Sequence, residues 1–191
     1  VLTSGKAYSN VFHANGGSAA FSVMANTLRG VYGTDVLLAT ANSFTGSVLQ
    51  ADYNKKMAAS MIMPNGLMSR QRTMTGAELK ETVRAFVEGC EGGFVPFNRG
   101  SLPVVSGIAV EVKEAGGSYT LTGITRNGQP LRDDDTVTVT CLAAENQMEA
   151  LLASKSGTSE DGDTWVKNTW RDHVSGGGAA LAEPENYMTL R

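Results

Sequence analysis

Residues Val36–Ala41 read Val-Leu-Leu-Ala-Thr-Ala, an apolar run entered through Gly33-Thr34-Asp35 and left through the polar stretch Asn42-Ser43-Phe44-Thr45-Gly46-Ser47. A strand with so little polar alternation must be covered on both faces, so the chain has to build at least two layers around it. The covering elements are visible on either side. After the turn signal Asn15-Gly16-Gly17, the stretch Ser18–Arg29 places Phe21, Met24 and Leu28 at helical spacing, with Gly30 and Gly33 as stops. Ala51–Met63 has helical composition until Pro64-Asn65-Gly66, because the residue before a proline is pushed out of the helical region. Leu67–Met74 reads as a strand. Thr75 and Glu78 have the spacing of a capping box, and Leu79, Val83, Phe86 and Val87 follow at helical period, so the pattern predicts a helix over Gly76–Glu88.

The second half changes period. Ile108, Val110 and Val112 alternate with Ala109, Glu111 and Lys113; Gly116-Gly117 turns the chain into a strand at Tyr119–Thr125; Asn127-Gly128 is a tight-turn dipeptide; and Thr136–Leu142 alternates again. These runs predict an antiparallel meander. Gln147–Ala153 suits a short helix, and Thr164–Val174 places Trp165, Val166, Trp170 and Val174 on one helical face as packing residues. The glycine-rich stretch Gly89–Gly100, with Phe94 and Phe97, reads as an ordered loop. The sum is α+β: a single domain with a mixed, partly antiparallel sheet flanked by helices.

Composition narrows the function classes. Of 191 residues, 41% are hydrophobic and 18% charged, which describes a folded chain and not a disordered one. Apolar runs fall far short of the roughly 20 residues a membrane helix needs. A net charge of −3 and the absence of a basic cluster argue against a nucleic-acid polymer as partner. Two cysteines, Cys90 and Cys141, lack Cys-x-x-Cys spacing, and two histidines, His13 and His173, are too few for a His-rich metal centre. The acidic triplet Asp133-Asp134-Asp135 lacks the glycine and distal glutamate of a calcium loop and reads as a solvated turn. No dinucleotide, P-loop or nucleophile-elbow motif is present. The opening Val-Leu-Thr-Ser-Gly-Lys reads as a cut inside a longer protein.

The order of motifs carries further. Asp35–Asn42, Thr73–Lys80, Val104-Val105-Ser106-Gly107-Ile108, Thr125-Arg126-Asn127-Gly128 and Thr136–Thr140 together resemble the C-terminal domain of the 5'-nucleotidase and 2',3'-cyclic-nucleotide phosphodiesterase family. The resemblance implies that residues 1–191 are one such domain. It also implies a separate N-terminal metallophosphoesterase domain, holding two divalent metal ions, that performs the hydrolysis of a phosphate ester. This chain would then bind and orient substrate, be silent alone, hold no cofactor of its own, and belong to an exported protein.

The departures from the family pattern define the site expectation. Asn42 matches the family's asparagine after the buried strand, but Ser43–Val48 contains no arginine where the family has a phosphate contact, and the family's earlier arginine falls near His13 or Ala14. The family's two stacking aromatics align with Asn65 and with a position near Cys141, and its Gly-Gly-Asp becomes Glu145-Asn146-Gln147. The resemblance therefore places substrate binding on His13, Asn42, Phe44, Thr45, Ser47, Asn65, Cys141, Glu145 and Asn146, with Asn65 and Glu145 replacing stacking by hydrogen bonds and no purine sandwich expected. The alternative is a non-catalytic binding or scaffold module of an exported surface protein.

Overall fold

The apolar run at residues 36–40 is an inner strand, buried from Val36 to Ala39 as its composition demands. A computed structural model describes residues 2–3, 6–9, 17–48, 52–63, 67–88, 103–144, 165–175 and 181–191. In chain order its elements are β1 (Leu2–Thr3), α1 (Ala19–Tyr32), β2 (Val36–Thr40), β3 (Asp52–Tyr53), α2 (Lys55–Ser60), β4 (Leu67–Thr75), α3 (Gly76–Glu88), β5 (Pro103–Ser106), β6 (Ala109–Ala115), β7 (Ser118–Arg126), β8 (Gln129–Pro130), β9 (Thr136–Ala144), α4 (Val166–Ser175) and β10 (Met188–Leu190). A single 3-10 turn, Ala41–Ser43, follows β2. The class is α+β, with mixed sheets and flanking helices.

Two four-stranded sheets carry the fold, in the orders β4-β9-β2-β5 and β10-β6-β7-β8. In the first, β2 runs parallel to β9 and antiparallel to β5, while β4 runs antiparallel to β9. The meander expected from Ile108 to Leu142 therefore holds only for β6, β7 and β8; β9 leaves it and enters the other sheet. Its physical reason is that Val137, Val139, Thr140, Cys141 and Leu142 are all buried. A strand closed on both faces needs a central place, which the short, exposed edge strand β8 does not offer.

Local chemistry explains the helix bounds. Ser18 caps α1 by accepting from the Phe21 amide, and the helix continues through Gly30 to stop at Gly33. There φ is +67°, and the Gly33 amide donates to the carbonyls of Arg29 and Gly30. Only Lys55–Ser60 of the expected helix at 51–63 is helical, because the Asn54 side chain caps it by accepting from Lys56 and Met57, each at 3.0 Å. Ahead of that cap, Asp52–Tyr53 pairs with β1 instead. The capping box at α3 forms as read: Glu78 accepts from the Thr75 amide at 2.8 Å and donates its own amide to the Thr75 hydroxyl at 3.2 Å. The segments 89–100 and 147–153 lie outside the described residues.

Helix α1 lays Phe21, Met24 and Leu28 in the core against β2 and β5. Helix α3 touches β7 as well as β4 and β5, so its buried Leu79, Val83 and Val87 tie the two sheets together. Residues 181–187 run along α1: the Asn26 side-chain amide donates to the Glu183 carbonyl at 2.7 Å, and the Ala182 amide donates to the Thr27 hydroxyl at 3.0 Å. They then deliver β10 to pair in parallel with β6.

Candidate functional site

The register of the first sheet decides which loops share an edge. Leu38 of β2 pairs with Cys141 of β9, which pairs with Arg70 of β4, and Leu67 pairs with Ala144. The carboxyl ends of the parallel strands β2 and β9 and the amino end of β4 thus meet at one side. Ligands in sheets with parallel pairs favour the carboxyl ends of those strands. Asn42 projects from this edge and is exposed. The loop behind it is strapped down: the Thr45 amide donates to the Met61 carbonyl at 2.8 Å, the Thr45 hydroxyl to the Ser60 carbonyl at 2.5 Å, and the Met63 amide to the Ser43 carbonyl at 3.1 Å. Thr45 and Ser47 are half-buried, and the Ser43 hydroxyl is buried without a hydrogen-bond partner among the described residues.

Two residues expected at this site point into the core instead. Phe44 is 2% exposed and packs on Phe21, with ring centroids 5.7 Å apart. Cys141 is 1% exposed. Burial pushes its thiol up to about 12, outweighing the pull of Arg72, so the sulfur stays protonated and unreactive at neutral pH. Cys141 is covered because β9 is buried over Val137–Leu142 apart from Thr138, and Phe44 because its ring turns inward onto Phe21. His13, Asn65, Glu145 and Asn146 lie outside the described residues, as do Phe94 and Phe97.

The same edge carries a residue that periodicity assigned to packing. Trp165 precedes α4 and forms an isolated antiparallel bridge with Met68, one residue into β4. Its side chain is 51% exposed, and Met63, which lies shortly before β4 in the chain, is exposed as well. Val166, Trp170 and Val174 are the buried residues of the helix. Helical spacing could not separate Trp165 from them, since only the bridge to Met68 takes it off the helix.

A cleft of about 490 Å³ opens at the opposite end of β2 between Arg29, Asp35, Arg126, the Asn127-Gly128 turn and Glu185. Its charges already engage one another. Asp35 accepts from Arg126 at 2.5 Å and from the amide and hydroxyl of Thr138 at 2.9 and 3.0 Å, and Arg29 donates to Ser106 at 2.8 Å. Burial pushes the Asp35 carboxyl up, but the Thr138 hydrogen bonds, Arg126 and Arg29 together hold it below the ordinary aspartate value. A carboxyl held low stabilises the fold fully above its unfolded value and loses that contribution as pH falls through the folded value. The melting temperature is therefore expected to drop below about pH 4, and Asp35→Asn to flatten that part of the profile. A thermal-melt series from neutral to strongly acidic pH reads this directly; an unchanged slope in the variant would remove Asp35 from the account.

Among the described residues, no group of three or more His, Cys, Asp or Glu side chains is placed to hold a metal ion. No described helix is long and apolar enough to cross a membrane.

Superposition on solved structures settles the architecture. The chain matches a 5'-nucleotidase precursor from Thermus thermophilus at a TM-score of 0.74 and 14% identity, over 99% of its own length and 39% of that protein. It has the 5'-nucleotidase C-terminal-domain fold. The NAD nucleotidase NadN of Haemophilus influenzae matches at 0.70 and 16% identity, with 100% and 38% of the two chains covered. The sulfate thiohydrolase SoxB of Thermus thermophilus matches at 0.65 and 12%, with 99% and 34% covered. In each of these cases the chain spans less than two fifths of the length of its match. No family model matches the sequence, and no curated protein does. The 5'-nucleotidase C-terminal fold is thus shared by proteins described as acting on different substrates, and the fold alone selects none of them.

Proposed function

We propose that this chain is the substrate-binding domain of a metal-dependent phosphoesterase of 5'-nucleotidase type, and that Trp165 and Asn42 at the carboxyl edge hold the ligand. The observation that carries this reading is an exposed tryptophan on the same sheet edge as Asn42. A half-exposed indole offers a flat apolar face to a planar ring, and an asparagine amide both donates and accepts toward polar substituents. The ligand class that fits both is a small phosphate ester bearing a planar base. The bond-breaking chemistry belongs to a second domain with its own two metal ions, and this domain alone hydrolyses nothing. The net charge of −3 supports a small molecule over a nucleic-acid polymer. Export of the parent protein is part of the same reading, supported by the precursor described from Thermus.

Tryptophan emission tests the ligand. Trp165 and Trp170 are the chain's two tryptophans, and Trp170 is 1% exposed. Adenosine monophosphate is expected to quench the emission saturably, and ribose 5-phosphate to leave it unchanged. Base stacking contributes about 1–3 kcal/mol, so Trp165→Ala should weaken nucleotide binding about 5- to 150-fold. Equal quenching by both compounds, or an unaltered Kd in the variant, would overturn the assignment of Trp165. A second reading, a non-catalytic binding module, is favoured by one observation: the loop 43–48 carries no arginine. It predicts no binding of any phosphate ester in the same titration.

A further inference from the structure

We propose that Arg70 and Arg72 of β4 form a binding site for a tetrahedral dianion of the phosphate or sulfate type, made of residues other than the Asn42 and Trp165 assigned above. The two arginines stand two residues apart on a strand, so their side chains leave the same face with Cα atoms roughly 7 Å apart. The register sets them opposite Cys141 and Val139. Both are half-buried, and the Nε atom of each is buried without a hydrogen-bond partner among the described residues. Among the described residues the Nη1 of Arg72 reaches the neighbouring Gln71 carbonyl, at 3.4 Å.

Their isolation sets them apart. Arg29, Arg84, Arg126, Arg132, Arg171 and Arg191 each have a carboxylate at 3.8 Å or less. Arg70 and Arg72 form no ion pair among the described residues. The nearest titratable group across the ladder, Cys141, keeps its proton and supplies no counter-charge. Two half-buried guanidinium groups on one face repel each other, and each leaves a buried donor unmet among the described residues, which costs stability. Planar forks at this spacing match a tetrahedral oxyanion, which can accept from both at once, and its double charge balances the pair. A single acetate balances only one.

The competing role for these arginines is that of edge guards, since β4 is an outer strand and inward charges discourage edge-to-edge pairing. Calorimetric titration of the 191-residue chain at fixed ionic strength separates the two. Inorganic phosphate and glycerol 3-phosphate are expected to bind with one-to-one stoichiometry and acetate not to bind. Arg70→Lys with Arg72→Lys keeps the charge and the fold but loses the forks, and should weaken phosphate binding about tenfold. Tighter binding of the ester than of phosphate would show that the anion arrives on a larger molecule; equal binding would assign the free ion. No heat with either compound, or the same affinity in the double lysine variant, overturns the site. General stabilisation by phosphate as a salt acts on both proteins alike and would appear as a thermal shift without stoichiometric heat.

Discussion

Gly107→Ala is expected to destabilise the protein by about 3 kcal/mol or more, from overpacking and backbone strain acting together. A Cβ built at Gly107 would lie 2.1 Å from the Asp35 carbonyl oxygen and 3.2 Å from Cδ of Arg29. The carbonyl is backbone and cannot swing aside. The residue also sits at φ +83°, a conformation that side chains rarely adopt. Either fault alone is costly, and relieving the first by moving β5 would pull Ser106 from Arg29 and from Asn26, to which Ser106 donates. For a chain of this size each kcal/mol is worth roughly 2–4 °C, so the melting temperature should fall by about 6–12 °C. A fall of less than about 2 °C would mean that the loop relaxes freely and that the close approach to Asp35 is not part of the fold's stability.

Trp170→Ala should cost about 3–5 kcal/mol, the range for emptying a large aromatic site. Trp170 is the largest fully buried side chain of the described residues and anchors α4 to the core. Its Nε1 has no hydrogen-bond partner among the described residues, so the indole contributes through volume and apolar contact, with a polar group that is a net cost. Trp170→Phe, which drops that group and part of the volume, is accordingly expected to lose much less than the alanine variant. Urea titration followed by circular dichroism reads both as midpoint shifts at constant slope. Equal losses for phenylalanine and alanine would show that Nε1 has a partner after all.

Much of this fold is written locally, and the parts that are not share one property. Helix α3 was legible to the residue because Thr75 and Glu78 cap it chemically, and β2 because nothing polar interrupts it. What local pattern cannot hold is which sheet a strand joins. Thr136–Ala144 alternates like its predecessors β6 and β7, yet its partners are Val36–Leu38 and Leu67–Thr75, chosen by burial on both faces. The candidate site was legible only in part. Asn42 follows β2 in sequence and stays at the edge in space, whereas Phe44, two residues on, turns inward onto Phe21. Trp165 was hidden because its separation from α4 depends on Met68, which is far earlier in the chain. The charge pattern of Arg70 and Arg72 was present throughout, but their lack of counter-charges among the described residues emerges only once the carboxylates around the other arginines have been placed.

The parallel contact between β2 and β9 joins Leu38 to Cys141, and the second sheet is completed only when Met188–Leu190 pairs with β6. During synthesis the inner strand must therefore wait for most of the chain to emerge before its central neighbour exists. Pairings so distant in sequence form slowly, and until they form β2 remains an apolar segment with open edges, the kind of surface on which nascent chains associate. The order in which this protein leaves the ribosome, and what shelters residues 36–41 meanwhile, bears on its yield as directly as the stability of the finished fold.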